Sequence, residues 1–183
     1  MKKFLATVST VGILGASIIG GNAVMAAESS TLITGSQLDM TQPTIGNFEG
    51  VTLNGLAQTT NAQVGTFTVK DPRGTGEGWS IVMKATQFTD SSNGNVLPLN
   101  SLEIGAPSIT EVVGSGSSDA QLITTTGGNI DNLNGLVILS AGTNEGMGTY
   151  TVDANTLTLN LLPKDVKAGN YTTTISVTFP TGP

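Results

Sequence analysis

The sequence predicts an all-β protein, an antiparallel β-sandwich or barrel-like domain that follows a cleaved signal peptide. Three observations carry that reading. Glycine is abundant, with 24 residues, and Thr recurs throughout while aromatics make up only 4%. Apolar side chains alternate with Thr, Ser and Asn, and clusters of Gly, Asn and Ser separate the alternating runs, so that many short strands and tight turns fit better than helices.

The elements follow in chain order. Lys2 and Lys3 form a positive n-region, Phe4 to Ile19 is apolar, and Val24-Met25-Ala26 places small residues at a cleavage position, so residues 1–26 read as a signal peptide and 27–183 as one β domain. The apolar run is short, and Gly20-Gly21-Asn22 interrupts it; we therefore expect no transmembrane segment in the mature chain. Ala27 to Ser36 reads as a loosely ordered leader.

Strands are expected at Val51 to Leu56, Gly65 to Lys70, Trp79 to Ala85, Leu102 to Ile104, Ile109 to Val113, Gln121 to Thr126, Leu136 to Ser140, Thr149 to Val152, Thr156 to Leu161 and Tyr171 to Phe179. The last two alternate most cleanly. In the final one, Tyr171, Ile175, Val177 and Phe179 share one face, and Thr172, Thr174, Ser176 and Thr178 share the other. The apolar row is the natural core face. Ser91 to Asn95, Gly114 to Ser118 and Gly127 to Asn129 are expected turns or loops within one domain.

Composition narrows the chemistry. The chain has no His and no Cys, which removes the imidazole base, the thiolate nucleophile, the disulfide and the usual zinc ligands. No catalytic residue, cofactor site or metal site is expected. Removing residues 1–26 leaves 157 residues carrying 5 basic and 13 acidic side chains, a net charge of −8. Such a chain has no electrostatic footprint for nucleic acid and would be repelled by anionic wall polymers. Leu162-Pro163-Lys164-Asp165 matches a sortase signal only in its first two residues, and no lipidation cysteine exists, so any attachment to a surface is expected to be non-covalent.

The most distinctive segment is Lys70-Asp71-Pro72-Arg73-Gly74-Thr75-Gly76-Glu77-Gly78-Trp79. A phosphate cradle needs a helix after its glycines, whereas the residues that follow here are β-prone. Asp71 and Glu77 could converge as a carboxylate pair for glycoside hydrolysis, but Arg73 between them favours a solvated turn with a local ion pair. Asn129 to Gly135 reads as an Asn/Gly-rich turn. Trp79, the sole Trp, shares a strand face with Ile81. Facing solvent it could stack on sugar rings; facing inward it is a core plug, and the spacing favours the core.

These residues carry a resemblance. Asp71 to Ile81 is similar to the first signature of the WxL domain of Gram-positive surface proteins. Gly146 to Tyr150, Lys167 to Phe179 and the final Pro183 are similar to the second, and Leu38 to Phe48 resembles the family's opening region. Ile81 stands where the family has Leu, Val177 where it has its second Trp, and Phe179 where it has Leu.

The resemblance implies an extracellular β domain that binds peptidoglycan non-covalently. Commonly it does so in a complex with a membrane-anchored WxL-interacting protein. It implies a first wall-binding motif of Trp79, Ser80 and Ile81, a second of Tyr171, Val177, Thr178 and Phe179, and a motif loop containing Asp71, Arg73, Gly74, Gly76 and Gly78. The expected function is that of a non-catalytic, secreted, wall-associated surface protein. The alternative is a subunit that docks on the interacting protein and meets the wall only indirectly.

Overall fold

The computed structural model describes residues 29–180, and its contacts divide the chain into residues 1–32 and 33–183. The expected signal peptide and its cleavage site, together with Pro183, lie outside the described residues. All strands described below belong to the second unit.

Among the described residues, twelve strands form three four-stranded sheets in which every pairing is antiparallel. The first sheet runs β1 (Asp39–Met40), β3 (Phe67–Asp71), β10 (Gly148–Val152), β6 (Ile109–Glu111). The second runs β2 (Gln58–Val64), β11 (Asn155–Leu161), β5 (Leu102–Ile104), β8 (Gly128–Asn129), and the third β12 (Ile175–Thr178), β4 (Trp79–Ala85), β9 (Leu136–Ala141), β7 (Thr124–Thr125). Among the described residues the helical element is a single 3-10 turn, Ala120–Leu122, capped by the Asp119 side chain. None of the described helices is long and apolar enough to cross a membrane.

One core joins the inner faces of the sheets. Trp79, Ile81 and Met83 of β4, Val69 of β3, Leu157 of β11 and Tyr150 of β10 are fully buried within it. Burial alternates along β2, β3, β4 and β11, as expected of strands with one face inward and one toward solvent. β9 departs from alternation because a bulge opposite Ile81 and Val82 turns the successive residues Ile138 and Leu139 both inward.

Most expected strands are present, with the following differences. Val51 to Leu56 is irregular, and the strand in this region is β2, Gln58–Val64. Its sequence, Gln-Thr-Thr-Asn-Ala-Gln-Val, carries almost no apolar signal; what makes it a strand is a seven-pair ladder with β11, from Gln58↔Leu161 to Val64↔Asn155. Gln121 to Thr126 is the 3-10 turn followed by two residues of β7, since Asp119 accepts from Gln121 N and starts a turn instead of a strand. The final strand is Ile175–Thr178; upstream of it, Thr172 makes a single bridge to Thr89. Gly128 and Asn129, expected in a turn, pair with Ile104 and Glu103 as β8.

Candidate functional site

The signature residues build one compact node. Asp71, the last residue of β3, is 3% exposed and has lost most of its water. Arg73 replaces that water through a bidentate pair, with Nε on Oδ1 at 2.9 Å and Nη2 on Oδ2 at 2.9 Å, while the Arg73 backbone N–H also donates to Oδ1 at 3.1 Å. The same guanidinium donates from Nη2 to the Gly78 carbonyl at 2.6 Å and reaches Glu77 Oε2 at 3.4 Å. Burial pushes the Asp71 carboxyl up, but the hydrogen bonds and charge of Arg73 outweigh it and hold the group below its ordinary value. The Asp71 hydrogen bond, against opposing desolvation, raises Arg73.

This arrangement corrects the expectation of a solvated turn. The ion pair exists, but it is largely enclosed, with Asp71 and Arg73 side chains 1% and 14% exposed. Enclosure follows from the glycines. Gly78 has φ 73° and lies so close to the carbonyls of Ala141 and Gly142 that no side chain fits, and Gly76, at φ 69°, is pressed on Asn144, whose N–H donates to the Gly76 carbonyl at 2.8 Å. Gly74, at φ 68°, faces open space.

From this turn the chain enters β4, and the Trp79 indole is fully buried. Its Nε1 donates to the Gly146 carbonyl at 2.8 Å. The ring lies 6.3 Å from Tyr150 and 5.8 Å edge-on from Phe179. Tyr150 Oη donates toward the carbonyls of Ser118 and Met147, at 2.9 and 3.0 Å. Ser117 Oγ accepts from Thr149 N–H at 2.8 Å, so the Gly/Ser stretch at 114–118 is wired to β10.

The structure thus brings Trp79, Phe179, Asp71, Arg73, Gly76 and Gly78 together. Ile81 is also fully buried, Ser80 is half-buried, and Val177, opposite Met83, is half-buried against the core. Thr178 is exposed. The apolar row of the last segment faces inward and the Thr row outward. Tyr171 stands apart from the node: its ring packs against the core and its Oη donates to the Lys167 carbonyl at 3.1 Å. It lines a groove at the other end of β12. Sequence reasoning missed this groove, because its walls come from irregular segments, residues 45–53 and 166–173, that show no periodicity. The Asn129 to Gly135 segment closes as a turn in which Asn132 Oδ1 accepts from the N–H groups of Asn134 and Gly135.

Fold and node define an all-β module whose distinctive residues hold two distant segments of chain together. The family model described as WxL domain surface cell wall-binding matches residues 36–183, and the chain belongs to that family. No curated protein and no solved structure matches the chain.

Proposed function

We propose that this protein is a non-catalytic, exported surface protein that attaches non-covalently to Gram-positive cell wall peptidoglycan, in a complex with a membrane-anchored WxL-interacting protein. The match to a surface cell wall-binding family over residues 36–183 is the observation that carries the reading. The signature residues serve it from beneath the surface: Trp79 and Ile81 are buried, so they shape the domain, while Thr178 and the exposed part of the Arg73 to Gly78 loop are free to touch a ligand. Asp71, the one carboxylate of the loop that is buried, is spent on Arg73 and unavailable as an acid or base. Docking in a complex is supported by β12, an outer strand of its sheet whose other edge meets no strand among the described residues.

The test is sedimentation of the purified protein with peptidoglycan sacculi stripped of teichoic acid and free of other proteins. Binding should persist at about 1 M NaCl, where the screening length falls to about 3 Å, because an acidic chain holds a wall polymer by contact and hydrogen bonding and not by net charge. Co-sedimentation only when the interacting protein is present would instead make wall association indirect.

A further inference from the structure

The groove lined by Tyr171 encloses about 930 Å³, at the top of the range for ligand sites, which is about 300–1,000 Å³. It lies away from the signature node: Ile175, paired with Ala85, lines it, whereas Phe179, four residues on, packs against Trp79 at the far end of β4. Its floor is apolar, built by Phe88, Leu97, Leu159 and Leu161, with Phe48 set edge-on to Phe88 at 5.6 Å. Its rim is polar and electrically balanced, since Glu49 and Lys167 are the charged residues of the lining, while the whole chain carries −6.

The Glu49 and Thr52 carbonyls accept from Thr60 Oγ1 and Gln58 Nε2, while part of the donor capacity in the walls is unspent within the protein. Residues 47–53 are irregular, and among the described residues none of their backbone N–H groups donates to protein. The side-chain amides of Asn47 and Asn170 likewise have no partner among the described residues. Donors, amides and half-exposed rings around a neutral apolar trough suit a polymer that has apolar ring faces and methyl groups beside carbonyls and hydroxyls and carries no strong charge. An added peptide strand would need a regular sheet edge to pair in register; the wall segments 47–53 and 166–173 do not form one, and of β12 only Ile175 lines the groove.

The geometry points to this groove as the seat of the peptidoglycan glycan strand, with Phe48 and Tyr171 against N-acetylated sugar rings and Asn47, Asn170 and the 47–53 amides bonding their acetamido and hydroxyl groups. This rests on the wall-binding reading above.

Gly50 gives a clean test, because it lines the groove, a Cβ added there meets nothing within 4 Å and its φ is not left-handed, so Gly50→Trp sets a bulky ring at the groove wall without backbone strain. The protein is titrated with stripped sacculi, with glycan strands freed of stem peptides by amidase, and with the released stem peptides. Wild type should bind sacculi and free glycan strands, and Gly50→Trp should bind both at least about tenfold more weakly at unchanged Tm. The double variant Asn47→Ala, Asn170→Ala should show the same loss, and it decides the matter if Gly50→Trp unfolds. If both altered proteins bind sacculi as tightly as wild type, or if wild type binds stem peptides and not glycan strands, the groove assignment fails and wall binding stands. If wild type does not bind sacculi at all, the wall-binding reading fails with it.

Discussion

The indole N–H of Trp79 donates to the carbonyl of Gly146, a bond that spans 67 positions of sequence and closes the two signature stretches on each other. Gly146 adopts φ 68°, and a side chain there would strike both the Ala141 side chain and the indole itself. The Trp and the Gly are therefore one structural unit: the large ring is buried only because the residue over it has no side chain.

Trp79→Phe should leave a cavity and an unpaired buried carbonyl, at a cost of about 2–4 kcal/mol. Gly146→Ala, which pits a methyl group against the ring and strains the backbone, should also be strongly destabilising. Thermal unfolding of the two single variants checks this, with about 2–4 °C of Tm expected per kcal/mol for a domain of this size. Trp79→Phe melting with wild type would show that the bond and the indole's extra volume contribute nothing, and Gly146→Ala melting with wild type would show that the position tolerates a side chain.

The Asp71–Arg73 pair makes a pH-dependent contribution. Folding holds the Asp71 pKa below its ordinary value of 3.8, so the unfolded chain binds more protons than the native one in that region. The stability that the pair supplies is complete above the ordinary value and is lost as pH falls from there through the lowered folded-state value. Asp71→Ala, which strands a mostly enclosed guanidinium, should cost about 3 kcal/mol near neutral pH. The gap between variant and wild type should narrow in acid, and urea unfolding over a series of pH values measures it. Arg73→Lys should not rescue the node, because an ammonium cannot span both carboxylate oxygens and the Gly78 carbonyl at once.

At the alkaline end, Tyr150 sets the opposite trend. Burial raises its pKa above 10.0, against a counteracting hydrogen bond to Ser118, and nearby carboxylates add to the rise. Stability tied to this hydroxyl is complete below pH 10.0 and lost as pH climbs through the raised value. Tyr150→Phe should flatten that alkaline limb in the same unfolding series.

Val177 stands where the second Trp of the family would be, and it is half-buried beside Met83. Val177→Trp should lower stability by about 1–3 kcal/mol through overpacking and should not tighten binding to sacculi. Equal Tm with tighter binding would show that this row is a contact surface. Thr178→Ala, on the exposed row, should leave Tm unchanged.

For export, the n-region and Val24-Met25-Ala26 predict a mature N-terminus at Ala27 or Glu28 in a wall-associated fraction. Mass spectrometry of the intact protein from fractionated cells reads this directly, and the unprocessed chain recovered from cytosol would overturn it.

The class of the fold was legible from the sequence alone because a strand with one wet face writes its period into the residues: Leu157, Leu159 and Leu161 point inward between Thr and Asn, and Tyr171, Ile175, Val177 and Phe179 do the same. The family was legible because glycines that permit close approach, Gly76 and Gly78, cannot be exchanged without steric cost. What only the tertiary structure decided is where those signature residues go and what surrounds them. β2 has little apolar pattern because its inward positions, Thr60, Ala62 and Val64, are small or polar, and it is a strand by virtue of its backbone partners, β11 along its whole length and the Ile45 bridge to Val64. Whether Asp71 and Arg73 are wet depended on Ala141, Gly142 and Asn144 folding over the glycines of the loop, from about seventy positions away. The groove as a cavity was not legible, although Lys167 to Thr173 of the second signature, with Tyr171, form one of its walls: its walls become neighbours only when β2 and β12 take their places, and spatial adjacency of that kind has no period to read.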